Sequence, residues 1–138
     1  MTGIIVPFQI ISDRIGEIAR KYGMISTEIS STQTVRNVFI IDDKGKIRTI
    51  LIYPMNIGRW IPEILRVIQA LQVADQNNAS TPANWVPCNP VIVSSPKTFE
   101  DLIKRKEMIS ENNNGMNWYL SFKNPEDCGL SEESKFTK

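Results

Sequence analysis

Residues 38–53 read VFIIDDKGKIRTILIY, and this stretch decides the fold. Two apolar runs rich in β-branched residues, Val38 to Ile41 and Ile47 to Tyr53, flank residues 42–45, which contain two aspartates and a glycine. Apolar runs separated by such a turn sequence are typical of a β-hairpin. Because the first run is apolar throughout, we expect a strand that is covered on both faces.

Helices and short strands are predicted on both sides of this hairpin. Apolar residues at helical spacing after Asp13 predict a short helix that ends at Gly23, and residues 8–11 predict a short edge strand before it. After Pro54, a longer helix carries an apolar stripe that we expect to be core, formed by Ile61, Ile64, Leu65, Ile68 and Leu71.

The remaining third of the chain is richer in polar residues. Residues 75–90 predict an extended segment that Trp85 pins to a surface. Thr98 and Asp101 have the spacing of a capping box and predict a helix that runs to about Lys106. Residues 117–122 predict an aromatic strand.

Composition excludes several classes of function. The 138 residues suit one modest domain, and a formal net charge of +1 argues against a general nucleic-acid binder. The sequence has no histidine, which excludes a histidine-based triad or a histidine-rich zinc site within this chain. No apolar run has the length of a membrane span. Two separated cysteines fit a reducing compartment, so we expect a cytoplasmic protein without metal or cofactor.

Three segments, taken in order, resemble one known family. Thr34-Val35-Arg36, followed by the strand 38–42, is similar to the Thr-Val-Arg strand entry of peroxiredoxins. Residues 53–59, YPMNIGR, are similar to the Tyr-Pro-x-x-x-Gly-Arg stretch before their last core helix. Residues 81–85, TPANW, followed by VIV at 91–93, resemble the extra C-terminal domain of the one-cysteine type and its archaeal relatives.

The resemblance runs from about Val6 to Phe122 and implies an α/β, thioredoxin-like (peroxiredoxin) fold. It implies that residues 1–75 are the C-terminal half of the core, that residues 76–123 are the small C-terminal extension domain, and that residues 124–138 are a flexible tail. The central strands of the family's sheet come from an N-terminal half that this sequence does not contain.

The cysteines depart from the family pattern. Peroxiredoxins carry their peroxide-reactive cysteine in a Pro-x-x-x-Thr-x-x-Cys motif, which is absent from this sequence. Cys88 lies in a proline-flanked loop and is expected to be an ordinary loop cysteine, and Cys128 lies in the polar tail. The archaeal relatives tend to have cysteines around an aromatic pair near the C-terminus, and the corresponding positions here are Gly115 and Ser121.

Two arginines are the candidate catalytic residues. The resemblance implies that Arg36, from the Thr-Val-Arg motif, stabilises the reactive thiolate and the peroxide oxygens. It also implies that Arg59 supports the same site. By contrast, the run Lys104 to Lys106 is expected to be a solvated last helical turn, and we assign it no ligand.

Three hypotheses about function remain open. In the first, the chain is the C-terminal half of a split or truncated thiol peroxidase that acts on hydrogen peroxide or alkyl hydroperoxides. In the second, it is a non-enzymatic oligomeric scaffold or binding module that has lost this chemistry. In the third, Cys88 serves as a nonstandard reactive thiol.

Partners follow from the resemblance and from the unpaired hairpin. We expect a peroxide substrate and a thiol reductant if the chain is active, and neither a nucleic acid nor a membrane. An open strand edge is a template for association. We therefore expect either a homo-oligomer, dimeric through strand 47–53, or a complex with an N-terminal peroxiredoxin half.

Overall fold

The computed structural model describes residues 5, 7–25, 34–112 and 115–126. The chain divides into two compact units, Met1–Arg59 and Trp60–Lys138. Both contain helix and antiparallel sheet, in keeping with the predicted α/β class. The predicted domain boundaries at residues 75 and 123 refer to the larger family domain and stay predictions.

The predicted hairpin is confirmed in the first unit. Strand β1 (Arg36–Ile41) pairs antiparallel with β2 (Ile47–Tyr53), with an irregularity between Ile40 and Ile41. The Asp42 carboxylate closes the turn by accepting the backbone N–H groups of Lys44 at 3.0 Å and Lys46 at 2.8 Å. Gly45 has φ 74°, which a residue with a Cβ rarely adopts.

The predicted first helix is also present, in a shorter form. Helix α1 spans Glu17–Lys21, and Gly23 (φ 63°) follows it in the expected left-handed conformation. Asp13 does not sit at the N-cap, which is Gly16. Its carboxylate nevertheless accepts the N–H of Ala19 at 2.8 Å and that of Ile18 at 3.2 Å, two donors that the helix start leaves without a helical partner.

Two expectations for the first unit are wrong. Residues 8–11 do not form a strand, and their apolar side chains are more than 70% exposed. Strand β1 is half-buried rather than covered on both faces. Both differences have one cause: β1 and β2 pair only with each other among the described residues, so no further strand is there to pair with residues 8–11 or to shield the hairpin.

The second unit contains a core. Helix α2 (Ile61–Asn77) begins with Pro62 in its first turn, where the missing N–H costs little. Its buried side is formed by Ala70, Val73 and Asn77. With Trp85 and Val91, the two apolar members of that side form the buried cluster.

The apolar stripe predicted on α2 is core only in part. Ile64, Ile68 and Leu71 are half-buried, whereas Ile61 and Leu65 are 58% and 54% exposed. The helix therefore buries the side that carries Ala70 and Val73, and it leaves much of its more hydrophobic stripe open.

Trp85 holds its segment in place, as predicted, but the extended segment is shorter than residues 75–90 because α2 continues to Asn77. Its side chain is 1% exposed and its indole N–H donates to the carbonyl of Asn89 at 2.9 Å. The Trp85 carbonyl accepts a hydrogen bond from Arg66 of α2 at 3.0 Å, and Arg66 also makes a two-pronged contact with Glu63 at 2.7 and 2.8 Å. This contact lowers the pKa of Glu63 and raises that of Arg66.

A four-stranded antiparallel sheet completes the second unit. Its strand order is β3-β4-β6-β5, and the strands are β3 (Ala79–Ser80), β4 (Val91–Val93), β5 (Gly115–Asn117) and β6 (Leu120–Lys123). Residues 117–122 thus span a turn between two strands, whereas one strand was predicted. Helix α3 (Phe99–Asn112) begins at the predicted capping box but runs past Lys106.

Replacing Trp85 tests whether the small cluster holds the second unit together. Trp85→Ala removes its largest side chain, and we expect it to lower the free energy of unfolding of this unit by about 3–5 kcal/mol. Urea unfolding followed through backbone amide resonances of residues 60–126 measures this. Trp60→Ala is the control, because Trp60 is 68% exposed. Equal losses in the two variants would contradict this role.

Asp13 predicts a pH dependence of α1. The hydrogen bond from the Ala19 N–H, the largest cause, holds the pKa of Asp13 below its usual value, and burial opposes this. Because the pKa of Asp13 is lower in the folded state, its ionised carboxylate stabilises the helix at pH values above the unfolded-state pKa. This stabilisation is lost as the pH falls through the folded-state pKa. The protection factor of the Ala19 amide, which compares its exchange with the intrinsic rate at the same pH, should fall over this acidic range. In Asp13→Asn this pH-dependent loss of protection should disappear; its persistence would contradict the assignment.

Candidate functional site

The first candidate residue, Arg36, lies where the two ends of the hairpin meet. It opens β1 and is paired in register with Tyr53, the last residue of β2. Pro54 follows at once and lacks the N–H that would continue the ladder. The strand pairing therefore places Arg36 beside the turn that leaves the hairpin.

A single hydrogen bond ties Arg36 to that turn. Its Nη1 donates to the carbonyl of Ile57 at 3.2 Å. The turn is closed by the N–H of Ile57, which donates to the Pro54 carbonyl at 3.1 Å. A guanidinium has several N–H donors in a planar fork, so one neutral acceptor leaves others free to bind an oxyanion or a polarised oxygen.

The residue next to Arg36 has an unsatisfied polar atom. The side-chain Oδ1 of Asn37 is buried and accepts no hydrogen bond among the described residues. A buried acceptor without a donor is costly, on the order of 1–3 kcal/mol. The start of β1 thus combines a guanidinium with spare donors and a carbonyl oxygen that needs one.

The second candidate, Arg59, is the last residue of the first unit and is exposed. Within the described part of the chain it has neither a hydrogen bond nor an ion pair, and no contact joins it to Arg36. The structure therefore brings Arg36 into a defined contact but not Arg59. Their shared role stays a prediction.

The contacts behind Arg36 fix the start of β1. The N–H of Val35 donates to the carbonyl of Met24 at 2.8 Å, which ties the strand to the segment after α1. The rings of Tyr22 and Phe39 meet edge to face, with centroids 5.0 Å apart. Through these two contacts, Tyr22 and Met24 hold the strand that carries Arg36 in place.

The positions compared with the archaeal cysteines lie opposite each other. Gly115 of β5 and Ser121 of β6 are cross-strand partners. Ser121 is 5% exposed, and its Oγ accepts a hydrogen bond from Arg105 at 2.6 Å. A hydroxyl thus stands in a buried position where the archaeal relatives tend to have a thiol.

Sequence reasoning missed Arg105. The expectation that residues 104–106 form a solvated last turn is wrong, because α3 continues to Asn112 and Arg105 is half-buried. The signal was its spacing: Arg105 stands three residues after Leu102 and four before Ile109, and both of these are half-buried. It therefore belongs to the inner face of the helix.

Cys88 is not the ordinary loop cysteine that the sequence predicts. It is disulfide-bonded and has a left-handed backbone, φ 71°, which is uncommon for a residue with a Cβ. A disulfide holds no thiolate, so in this state Cys88 cannot attack a peroxide. Cys128 and the rest of the predicted tail after Glu126 lie outside the described residues.

The described ranges of the chain bring together no group of three side chains suited to hold a metal ion. None of the helices found there has the length and apolarity needed to cross a membrane.

Comparisons with protein-family models match two parts of the chain. Residues 2–50 match the AhpC/TSA family, and residues 70–108 match the C-terminal domain of 1-Cys peroxiredoxin. The first match contains β1 with Arg36 and the first part of β2, and it ends at residue 50. The second contains the C-terminal part of α2, the segment around Trp85 and most of α3.

The curated relatives that the chain resembles are also peroxiredoxins. The chain is similar to peroxiredoxin 2 of Caldanaerobacter subterraneus subsp. tengcongensis, at 50% identity over 122 residues, covering 88% of this chain and 55% of the relative. It is similar to a peroxiredoxin of Aquifex aeolicus at 44% identity over 128 residues, covering 86% and 56%. The chain thus spans about half the length of the curated relatives it matches.

Solved structures confirm the predicted fold class. The yeast mitochondrial 1-Cys peroxiredoxin matches with a TM-score of 0.63 and 35% identity, over 81% of this chain and 54% of that one. A mutant of peroxiredoxin 6 of Arenicola marina matches with a TM-score of 0.63 and 30% identity, over 84% and 56%. The chain therefore has part of an α/β, thioredoxin-like peroxiredoxin fold.

The hydrogen bond between Arg36 and Ile57 gives a structural prediction. Arg36→Gln shortens the side chain and should free the turn at residues 54–57. The amide of Ile57, which closes that turn, should then exchange up to about tenfold faster, as expected for the loss of one hydrogen bond. Hydrogen exchange by NMR measures this. Lys44→Gln removes a charge from the opposite end of the hairpin and should leave Ile57 unchanged. An unaltered rate in Arg36→Gln would show that the bond does not restrain the turn.

Proposed function

Because this chain belongs to the peroxiredoxin family over the half of the fold that it spans, we propose that it is the C-terminal half of a thiol peroxidase. The peroxide-reactive cysteine would lie on an N-terminal half of the family fold, either on a separate chain or on a segment outside this sequence. The observation that carries the proposal is Arg36 of the Thr-Val-Arg motif, held at the hairpin end with donors to spare.

The chemistry assigned to this site is oxygen transfer to sulfur. A cysteine thiolate attacks one oxygen of the peroxide, the O–O bond breaks, and the leaving oxygen takes a proton to become water or an alcohol. The cysteine becomes a sulfenic acid. Arg36 would stabilise the thiolate and the negative charge that develops on the departing oxygen. Arg59 would add a second positive charge near the same place.

Exposed apolar surface supports a missing half. Among the described residues of the first unit only Ala19 is buried, although the unit contains many large apolar side chains. On α2, Ile61 and Leu65 are open as well. Burial of apolar surface contributes roughly 25 cal/mol per Å², so covering these side chains would favour association strongly.

The two unpaired edges of the hairpin are each available to pair with a strand of a partner. Within the described chain each strand of the hairpin has one unpaired edge. We assign the β1 edge, with the unsatisfied Asn37 oxygen, to strands of the N-terminal half. We assign the β2 edge to a second copy of the chain, which would make a dimer through residues 47–53.

The reductant would come from outside this chain. With Gly115 and Ser121 at the positions compared with the archaeal cysteines, this part of the chain offers no thiol to resolve a sulfenic acid. The yeast relative is described as resolved by glutathione and thioredoxin systems. We propose a one-cysteine cycle, in which external thiol first forms a mixed disulfide and releases water. A second external thiol then attacks the mixed disulfide, which releases the cysteine thiolate and joins the two external thiols in a disulfide. A cytoplasmic location stays a prediction.

A non-enzymatic scaffold is the second candidate. It is favoured by the absence of the Pro-x-x-x-Thr-x-x-Cys motif and by the replacement of both archaeal cysteine positions. This alternative keeps the assembly through the hairpin and discards the chemistry. The two candidates differ in one observable, peroxide consumption by the completed assembly.

The test restores the missing half in trans. The full chain is co-expressed with the N-terminal part of the Caldanaerobacter relative that precedes the matched region, and the purified complex is supplied with peroxide and dithiothreitol. We expect a stable complex that consumes peroxide, and Arg36→Ala should lower the rate by roughly 10²–10³-fold. Arg48→Ala is the matched control, because Arg48 lies on β2 of the same hairpin.

The outcomes separate the candidates. A complex that forms but consumes no peroxide would favour the scaffold. Full activity of Arg36→Ala would contradict the role of the arginine. A homo-oligomer that excludes the added half would contradict the split peroxidase.

A further inference from the structure

The second unit contains a cavity that the proposed peroxidase chemistry does not use. It has a volume of about 240 Å³ and lies between α3 and the strands β4 and β6. Its lining comprises Val93, Arg105, Met108, Ile109, Ser121, Phe122 and Lys123. Among the described residues, this lining combines four apolar residues with two cations and one hydroxyl, and no carboxylate is part of it.

The orientation of the Arg105 guanidinium is fixed from two sides. Its Nη1 donates to the Ser121 Oγ at 2.6 Å and its Nη2 donates to the Ser94 carbonyl at 2.9 Å. Both acceptors are neutral. Ser121 is nineteen-twentieths buried, at 5% exposure, so this end of the cavity is a built polar wall rather than a mobile surface side chain.

No carboxylate of the described residues pairs with the positive charge of this wall. Arg105 forms no ion pair with a carboxylate in the described part of the chain. The other cation of the lining, Lys123, donates to the carbonyl of Asn77 at 3.0 Å, again a neutral acceptor. A half-buried cation without a counter-ion attracts an anion strongly, because the surrounding apolar groups screen less than water does.

The opposite side of the cavity is apolar. Met108 and Ile109 follow Arg105 by three and four residues on α3, so the three side chains share one face of the helix. Val93 and Phe122 come from the two central strands of the sheet. Met108 is 61% exposed, which leaves an entrance on the helix side, and its flexible thioether adapts to different shapes.

We propose that this cavity binds a small amphipathic carboxylate, with the carboxylate on Arg105 and a compact apolar body against Met108, Ile109 and Phe122. The free N–H groups of the guanidinium offer charge-assisted hydrogen bonds to the carboxylate. Burial of the apolar body supplies the rest of the affinity. The site lies wholly within the second unit, and it stands whether or not the peroxidase proposal holds.

The test uses three probes that separate charge from shape. Benzoate has both the carboxylate and the apolar ring, benzyl alcohol keeps the ring without the charge, and acetate keeps the charge without the ring. Each is titrated into the full chain, and binding is followed by NMR of the amides of residues 93, 105, 109, 121 and 122. We expect saturable chemical-shift changes with benzoate. Benzyl alcohol and acetate should each bind at least roughly tenfold more weakly than benzoate.

Variants of α3 provide the controls. Arg105→Gln should weaken benzoate binding at least about tenfold, whereas Lys106→Gln removes the same charge one residue away, outside the lining, and should leave the affinity unchanged. Arg105→Gln also removes two internal hydrogen bonds and so can disturb folding. Met108→Trp covers this case: it fills the cavity from an exposed position, keeps Arg105, and should abolish the shifts.

Several results would overturn the proposal. One is the absence of saturable shifts with benzoate up to about 10 mM. Another is equal affinity for benzoate and benzyl alcohol, which would mean an apolar cavity without anion recognition. A third is unchanged benzoate binding in a folded Met108→Trp variant.

Discussion

The second unit depends on the way α2 holds Trp85. The indole is buried against Ala70, Val73 and Val91, and the carbonyl of the same residue is bound by Arg66 one turn above that cluster. One residue therefore joins the apolar core to a polar clamp, and Glu63 keeps the clamp in place. The segment between α2 and β4 contains only the two-residue strand β3, so this double attachment and the pairing of β3 with β4 hold β4 against the helix.

Among its described residues, the first unit has no comparable anchor. Its order comes from the hairpin ladder, from the Asp42 turn and from the contacts of Asp13 and Tyr22, all of them local. Arg36, on which the proposed chemistry depends, belongs to this unit. The candidate site is thus formed by the part of the chain with the least buried surface, which is the arrangement expected when a functional surface is completed by another segment of protein.

Sequence alone predicts the elements that local chemistry determines. The hairpin with its Asp-Asp-Lys-Gly turn, the Gly23 stop, the capping box at Thr98 and the pinning by Trp85 all follow from short patterns, and the resemblance identifies the family. The predictions that are wrong are those in which the surrounding elements determine the local structure. Residues 8–11 have strand propensity but no strand beside them, and the α2 stripe is apolar but lacks cover along half its length. The sequence places Arg105 among three surface cations, whereas in the structure α3 extends to Asn112 and Arg105 donates to Ser121 of β6. Whether Arg36 and Arg59 meet depends on contacts that no short pattern encodes.

The position of the core along the chain also determines the order of events during synthesis. The buried cluster is drawn entirely from residues 70–91, so its members are close in sequence and the entropy of bringing them together is small. It forms quickly, but only after the hairpin has left the ribosome, since the hairpin precedes it in the chain. The apolar strands of the hairpin therefore emerge before the buried cluster of the second unit can form. That interval is when chaperones, a waiting partner or an identical nascent chain compete for the same strand edges.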